Sequence, residues 1–361
     1  MGEDTKAGTT ADSKADVVAF LGTGLEHMAA TFTTVLAALG DRLGLWKALA
    51  AAPMSAAELA ATTGLDERYV TEWAAAMTVA KYVTHDAGRG VFALAPGAAT
   101  ALADEGNALF IGGAYQNLLG LLGVLDLVTD AFRTGEGVPY AEYSADTFDG
   151  MARLTGPAHE HALVGRWLPL VPDVETRLRV GVRVLDVGCG QGRAVLAMAD
   201  AFPKSRFTGL DAHRPVIERA QARAGALGVG DRVRFEVGDA LTAIAGGPFD
   251  VVCLFDVLHD SADPPGLLTA ARAALAPGGA VLLLEPNTAD TLEGNAWPLG
   301  AMNFGISVLY CMSVSLGTGG PGLGTCGTPE PVVREMAAST GFESVVEAPI
   351  ANLFNRLYVL T

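Results

Sequence analysis

The apolar positions change period part-way along the chain. From about Arg183 onward, short apolar runs of strand length alternate with segments of helical spacing. The pattern predicts strands at Arg183–Val187, Phe207–Asp211, Val233–Val237, Val251–Phe255 and Val281–Glu285. Helices are predicted between them, among them Arg193–Phe202 and Pro215–Leu227, and Pro277-Gly278-Gly279 reads as a tight turn before the fifth strand. Alternation of this kind is the signature of a doubly wound α/β sheet. An apolar segment from Trp297 to Leu316, a glycine-rich loop to Gly327, a helix over Pro331–Ser339 and a terminal hairpin complete the reading.

Upstream the period is helical. Leu43, Leu45, Trp46 and Leu49 form one apolar face. Ser55 with Glu58 makes a capping box that opens a helix ending at Gly64. A second helix starts at Asp66 and runs through Val79, with Val70, Trp73, Ala74 and Met77 inward. Tyr82-Val83-Thr84 and Val91–Leu94, joined through Gly88-Arg89-Gly90, read as a hairpin, so residues 15–100 describe a winged helix. Residues 101–180 read as a helical linker and substrate roof, with one or two buried helices between Asn107 and Phe132. Residues 1–14 read as a disordered leader, and residues 181–361 as the sheet domain.

Charge narrows the partners. The formal net charge is −16, and the second helix of the winged helix carries Asp66, Glu67 and Glu72 against Arg68. Phosphate contacts need positive charge, so nucleic acid is not an expected partner. No apolar run approaches the roughly 20 residues of a membrane span, and Met1–Lys14 has no signal-peptide core. A cytoplasmic protein without a membrane partner is expected. Cys189, Cys253, Cys311 and Cys326 form no C-x-x-C pair, so neither structural zinc nor a disulfide framework is expected.

The chemistry gathers at the ends of the predicted strands. Asp186-Val187-Gly188-Cys189-Gly190-Gln191-Gly192 follows a strand and opens a helix, where glycines let the backbone turn sharply against a ligand. No Lys-Ser/Thr pair follows, which excludes a phosphate-binding P-loop. Asp211, with Ala212, ends the second strand where a carboxylate can accept ribose hydroxyls. Gly238-Asp239-Ala240 ends the third, placing an acid where an adenine amino group can donate. A nicotinamide-binding Rossmann domain is the alternative, but it lacks its third glycine here, at Ala194 or Val195.

From Val182 to Pro286 the chain resembles the class I S-adenosylmethionine-dependent methyltransferases. Asp186, Gly188 and Gly190 match the first motif, Asp211 and Asp239 the acids after strands two and three, Phe249–Asp256 the fourth motif, and Pro277-Gly278-Gly279 the turn before strand five. The resemblance implies a Rossmann-like seven-stranded sheet and S-adenosylmethionine as cofactor. It implies a binding site at Asp186, Gly188, Gly190, Asp211, Ala212, Gly238, Asp239, Ala240, Phe255 and Asp256. Leu258-His259-Asp260 resembles the catalytic segment of small-molecule O-methyltransferases, which carry an N-terminal winged-helix dimerisation domain. There the histidine is the general base and a glutamate after strand five orients it, so His259 and Glu285 take those roles by resemblance. A histidine here also serves some methyltransferases as a cofactor contact or helix cap. The chain departs from the plant-type pattern at Ser261-Ala262-Asp263-Pro264 and lacks its second glutamate near Cys326; it is more similar to actinobacterial winged-helix methyltransferases. The implied partners are a natural-product-like acceptor methylated at oxygen and a second copy of the chain. Transfer to nitrogen or a peptide carboxyl, or a cofactor-bound protein that does not methylate, are the alternatives. Trp297, Met302, Phe304, Tyr310 and Met312 are split between acceptor pocket and core, with Tyr140, Tyr143 and Arg166 as further pocket candidates. His159 and His161 read as surface or interdomain residues, with a second acceptor-side base as alternative.

Overall fold

The computed structural model describes residues 13–244 and 246–361, in two compact units that part between Asp104 and Glu105. Most of the expected leader, residues 1–14, lies outside the described residues. Its last two residues start the first helix, Lys14–Arg42: Ser13 caps it in a box with Asp16, and Lys14 is its first residue.

In the first unit the capping box at Ser55 and Glu58 opens the helix Ala56–Thr63, and Gly64 closes it in a left-handed conformation. The next helix, Glu67–Val79, is capped by Asp66. Strands β1 (Val83–Asp86) and β2 (Val91–Leu94) pair antiparallel, completing helix, turn, helix and wing. The indoles of Trp46 and Trp73 pack 4.7 Å apart, and each donates to a carbonyl of the first helix, at Ala37 and Leu36.

The second unit is built on seven strands: β3 (Arg183–Val187), β4 (Arg206–Asp211), β5 (Val233–Val237), β6 (Phe249–Phe255), β7 (Leu275–Pro286), β8 (Val345–Ala348) and β9 (Asn355–Leu360). Their order is β5-β4-β3-β6-β7-β9-β8. The first five run parallel, and β9 lies antiparallel between β7 and β8. The central strands are buried on both faces. Val184, Val251 and Cys253 feed one core, and Leu185, Val252 and Leu254 the other, as the period-two alternation of a strand requires. The chain reverses its direction of winding between β3 and β6, and a crevice at the carboxyl ends of strands at such a point is where α/β folds bind ligands.

Two expectations change. Pro277-Gly278-Gly279 does not precede the strand; it bulges within β7. Phe249 pairs with Leu275 and Val251 with Ala280, so the extra residues loop out while pairing resumes. The Trp297–Leu316 segment becomes a continuous helical run, Pro298–Gly317, long and apolar enough by length and composition to cross a membrane. Tyr310, Cys311 and Val314 of that run are buried in a core shared with Leu121 and Phe148.

The helical zone ahead of β3 belongs to this same unit. The helices Gly112–Leu122 and Ala145–Ala158 cross in close contact, because Gly120 faces the Thr147 backbone and Gly150 faces Asn117 with no room for a Cβ. Leu125–Thr134 is a separate helix that buries Val128 alone, so the stretch is two helices and the second is mainly exposed. After Ala158 the helix widens into π-helical turns over His159–Trp167.

Candidate functional site

A cavity of about 440 Å³ opens at the carboxyl ends of β3, β4, β5 and β6. All ten residues expected to bind the cofactor line it. Gly188, Gly190 and Gly192 all have positive φ, which bends the loop after β3 tightly before the helix Arg193–Ala201. A Cβ at Gly190 would meet no atom within 4 Å, so this backbone faces open space.

The acids around the cavity differ in how they are satisfied. Asp211 accepts from the amides of Gly190 (2.9 Å) and His213 (2.8 Å), which fixes the loop to the end of β4. Burial raises its carboxyl above the ordinary value, and those two bonds pull it back. Asp239 is exposed at the rim and accepts from the Leu241 amide. Asp186 is buried, lines the cavity, and its Oδ1 has no hydrogen-bond partner. Burial, and then the nearby Asp211, push it up to about 8. A buried acceptor left without a donor is costly and marks a place for one.

After β6, Asp256 adopts φ 54, a strained backbone for a non-glycine residue, and accepts from Asn355 Nδ2 at 2.6 Å. Asp256 and Asp260 both line the cavity, and burial raises each to about 7.

His259 and Glu285 are brought together but stand behind the cavity wall. The His259 Nδ1 to Glu285 Oε2 distance is 2.8 Å, and neither residue lines the cavity. Glu285 is fully buried and both its oxygens are engaged: Oε1 accepts from the Leu258 amide, and Oε2 also accepts from the Thr328 hydroxyl. Burial pushes the His259 imidazole down, but the Glu285 carboxylate and a hydrogen bond with Cys311 outweigh it and hold the ring well above its ordinary value. Thr328 and Cys311 carried no signal in the sequence, because they reach the dyad from the glycine-rich loop and from the helical run after β7.

The far wall comes from the helical zone. Tyr140, Phe148, Met151, Thr155 and His159 line the cavity, as do Tyr310 and Val314. Tyr140 packs edge-on to Phe148 (5.0 Å) and His213 (5.4 Å). Of the five split candidates after β7, Tyr310 alone is on the cavity wall; Tyr143 buttresses it at 4.9 Å and donates to the Leu309 carbonyl. Arg166 is exposed. His161 is exposed, as expected, but His159 is not a surface residue: its ring stacks on Phe255 at 5.8 Å inside the cavity. All four cysteines are free, and no group of three or more candidate metal ligands occurs among the described residues.

Comparison with known proteins agrees with this geometry. Residues 178–302 match a family model described as a methyltransferase domain, and residues 31–104 one described as an Rv2258c-like winged HTH domain. The chain thus carries a methyltransferase domain preceded by a winged-helix domain. It is 38% identical over 124 residues to the 27-O-demethylrifamycin SV methyltransferase of Amycolatopsis mediterranei, covering 33% of this chain and 45% of that one. It is 33% identical over 122 residues to the O-demethylpuromycin-O-methyltransferase of Streptomyces alboniger, covering 33% of this chain and 32% of that one. The chain thus spans less than half the length of these curated relatives. Among solved structures, a putative O-methyltransferase from Nostoc punctiforme superposes with a TM-score of 0.73 at 18% identity, covering 97% of this chain and 99% of that one. PigF with SAH does so at 0.70 and 19% identity, over 97% and 99%. At these identities the likeness carries the Rossmann-like methyltransferase fold alone.

Proposed function

We propose that the protein transfers a methyl group from S-adenosylmethionine to an oxygen of a small, natural-product-like acceptor. The observation that carries the reading is Asp186: a buried carboxyl with an unpartnered oxygen, beside a glycine loop whose Gly190 faces open space. That pairing suits a cationic nucleotide with a donor to offer. The oxygen acceptor is supported by the names of the rifamycin and puromycin relatives.

Once bound, S-adenosylmethionine supplies an electrophilic methyl on a cationic sulfur, and transfer is an in-line displacement that depends on alignment. Asp211 keeps lone pairs free for ribose hydroxyls beyond its two amide bonds, and Asp239 at the rim serves the adenine side. Tyr140, Phe148 and Tyr310 give the acceptor an aromatic wall. As the oxygen–methyl bond forms and the methyl–sulfur bond breaks, the hydroxyl proton passes to a base. His259, oriented by Glu285, is that base in the first reading, which requires the ring first to give up the proton that Glu285 favours on it. Asp260 is the second, because it stands on the cavity wall where His259 does not, and a carboxyl raised to about 7 suits proton transfer near neutral pH. The protein acts as a cytoplasmic homodimer in this reading. Support for the dimer is the first helix, where Phe20, Leu21, Leu25 and Phe32 are more than half exposed and need cover.

Calorimetry with S-adenosylmethionine, followed by detection of S-adenosylhomocysteine against a panel of hydroxylated aromatics, tests the reading. No binding of either nucleotide ends it. With a turned-over acceptor in hand, His259→Gln and Asp260→Asn separate the bases: loss of the true one costs ~10²-fold or more in turnover.

A further inference from the structure

We propose that Asp149 is a positioning residue that joins the helical roof to the glycine loop, so that filling the nucleotide site stiffens the aromatic wall of the cavity. The proposal rests on the S-adenosylmethionine reading above and concerns a residue that does not itself line the cavity.

Asp149 lies on the roof helix Ala145–Ala158, directly after Phe148 and two residues before Met151, both of which line the cavity. Its Oδ1 gathers two donors from separate elements. One is Gln191 Nε2 at 2.7 Å, and the other is Arg219 Nη1. Gln191 stands in the glycine loop after β3, where it is buried and lines the cavity. Arg219 belongs to the helix Arg214–Leu227, which follows β4. His213, which precedes that helix, donates its amide to Asp211 and packs its ring on Phe148 at 4.4 Å. Residues 148 and 149 therefore grip both segments that present the glycines and Asp211 to the cavity.

The loop needs such a grip. Gly190 and Gly192 flank Gln191 with φ of 52 and 72, and glycine leaves the backbone free on both sides of it. The Gly190 amide ties the loop to Asp211, and the Gln191 side chain ties it to the roof. A second tie, Arg193 Nη1 to Glu160 at 2.8 Å, joins the helix after the loop to the π-helical turns that follow the roof helix. The roof responds as a block. Gly150, next to Asp149, faces the Asn117 backbone where no Cβ fits, so the helix Gly112–Leu122 moves with Ala145–Ala158.

Magnitudes separate this role from a purely structural one. The Asp149 and Arg219 side chains are 33% and 41% exposed, and an ion pair so open to water adds little to global stability. What the contact fixes is the place of the roof relative to the loop.

Amide hydrogen exchange and calorimetry on the whole chain with S-adenosylhomocysteine test the proposal. In the wild type, bound nucleotide is expected to slow exchange by ~10-fold over the helices Gly112–Leu122 and Ala145–Ala158 as well as over the glycine loop. In Asp149→Ala the loop is still protected on binding, the roof is not, and the nucleotide binds ~10-fold more weakly, about 1.4 kcal/mol. Asp149→Asn keeps an acceptor for Gln191 and loses the charge opposite Arg219, so it is expected to recover part of both. The ligand-free variants are expected to melt within ~4 °C of the wild type. Should Asp149→Ala melt far lower, Asp149→Asn carries the same comparison. Roof protection unchanged in the variants, or absent in the wild type, overturns the coupling and leaves the methyltransferase reading intact. If the wild type binds no S-adenosylhomocysteine, both fall together.

Discussion

Asp186 and Glu285 are both buried acids at the carboxyl ends of neighbouring parts of one sheet, yet they are opposites. Glu285 receives three donors, from Leu258, His259 and Thr328, and has no view of the cavity. Asp186 has an oxygen with no donor and looks into the cavity. A buried acid with its donors in place ties elements of the fold together; one with an open oxygen leaves room for a donor. Burial alone therefore does not set the two acids apart; their hydrogen bonds and their place relative to the cavity do.

The contrast can be broken from either side. Glu285→Ala has the largest expected effect. It strands a buried imidazole whose charge depended on the carboxylate, along with a hydroxyl and an amide, at about 3–5 kcal/mol of stability. Denaturant titration reads this, and a loss below ~1 kcal/mol would sink the structural role. Asp186→Asn is expected to do the reverse, keeping the empty protein folded while weakening S-adenosylmethionine binding ~10- to 100-fold, as for a charged hydrogen bond of about 1.5–3 kcal/mol. Next is a pH effect. The Asp186 carboxyl is raised from 3.8 to about 8 in the folded chain. Its contribution to stability is complete below pH 3.8 and is lost as pH rises through about 8, because the fold disfavours the ionised form. The melting temperature of the ligand-free protein should fall over that window, less steeply in Asp186→Asn; Asp256 and Asp260, raised to about 7, and Asp211 and His259, also raised, add slope of the same sign. Smallest is Thr328→Val, which removes one of the donors to Glu285 and should cost about 1 kcal/mol.

Much of the second unit was legible because its strands are short, apolar and bounded by glycine and acid. Four of the five drawn strands begin within two residues of the observed ones. The fifth was misjudged at Pro277-Gly278-Gly279, since a turn and a bulge use the same residues and differ only in whether pairing resumes, which a neighbouring strand decides. The cavity-lining acids and glycines were legible because each is fixed by its place at a strand end. His159 was not. It stands where an α-helix passes into π-helical turns, and the change from four- to five-residue bonding shifts the phase of every face that follows. Helical spacing cannot be carried across such a junction. Cys311 and Thr328 were hidden for a different reason: they meet His259 and Glu285 through contacts spanning tens of residues, with no local pattern to mark them.

Asn355, ninety-nine residues beyond Asp256, donates to it and opens β9, the strand inserted between β7 and β8. During synthesis the loop after β6 leaves the ribosome long before that amide exists. This corner of the cavity is therefore braced only once β9 has paired into the sheet, so its backbone depends on a segment far along the chain from the glycine loop.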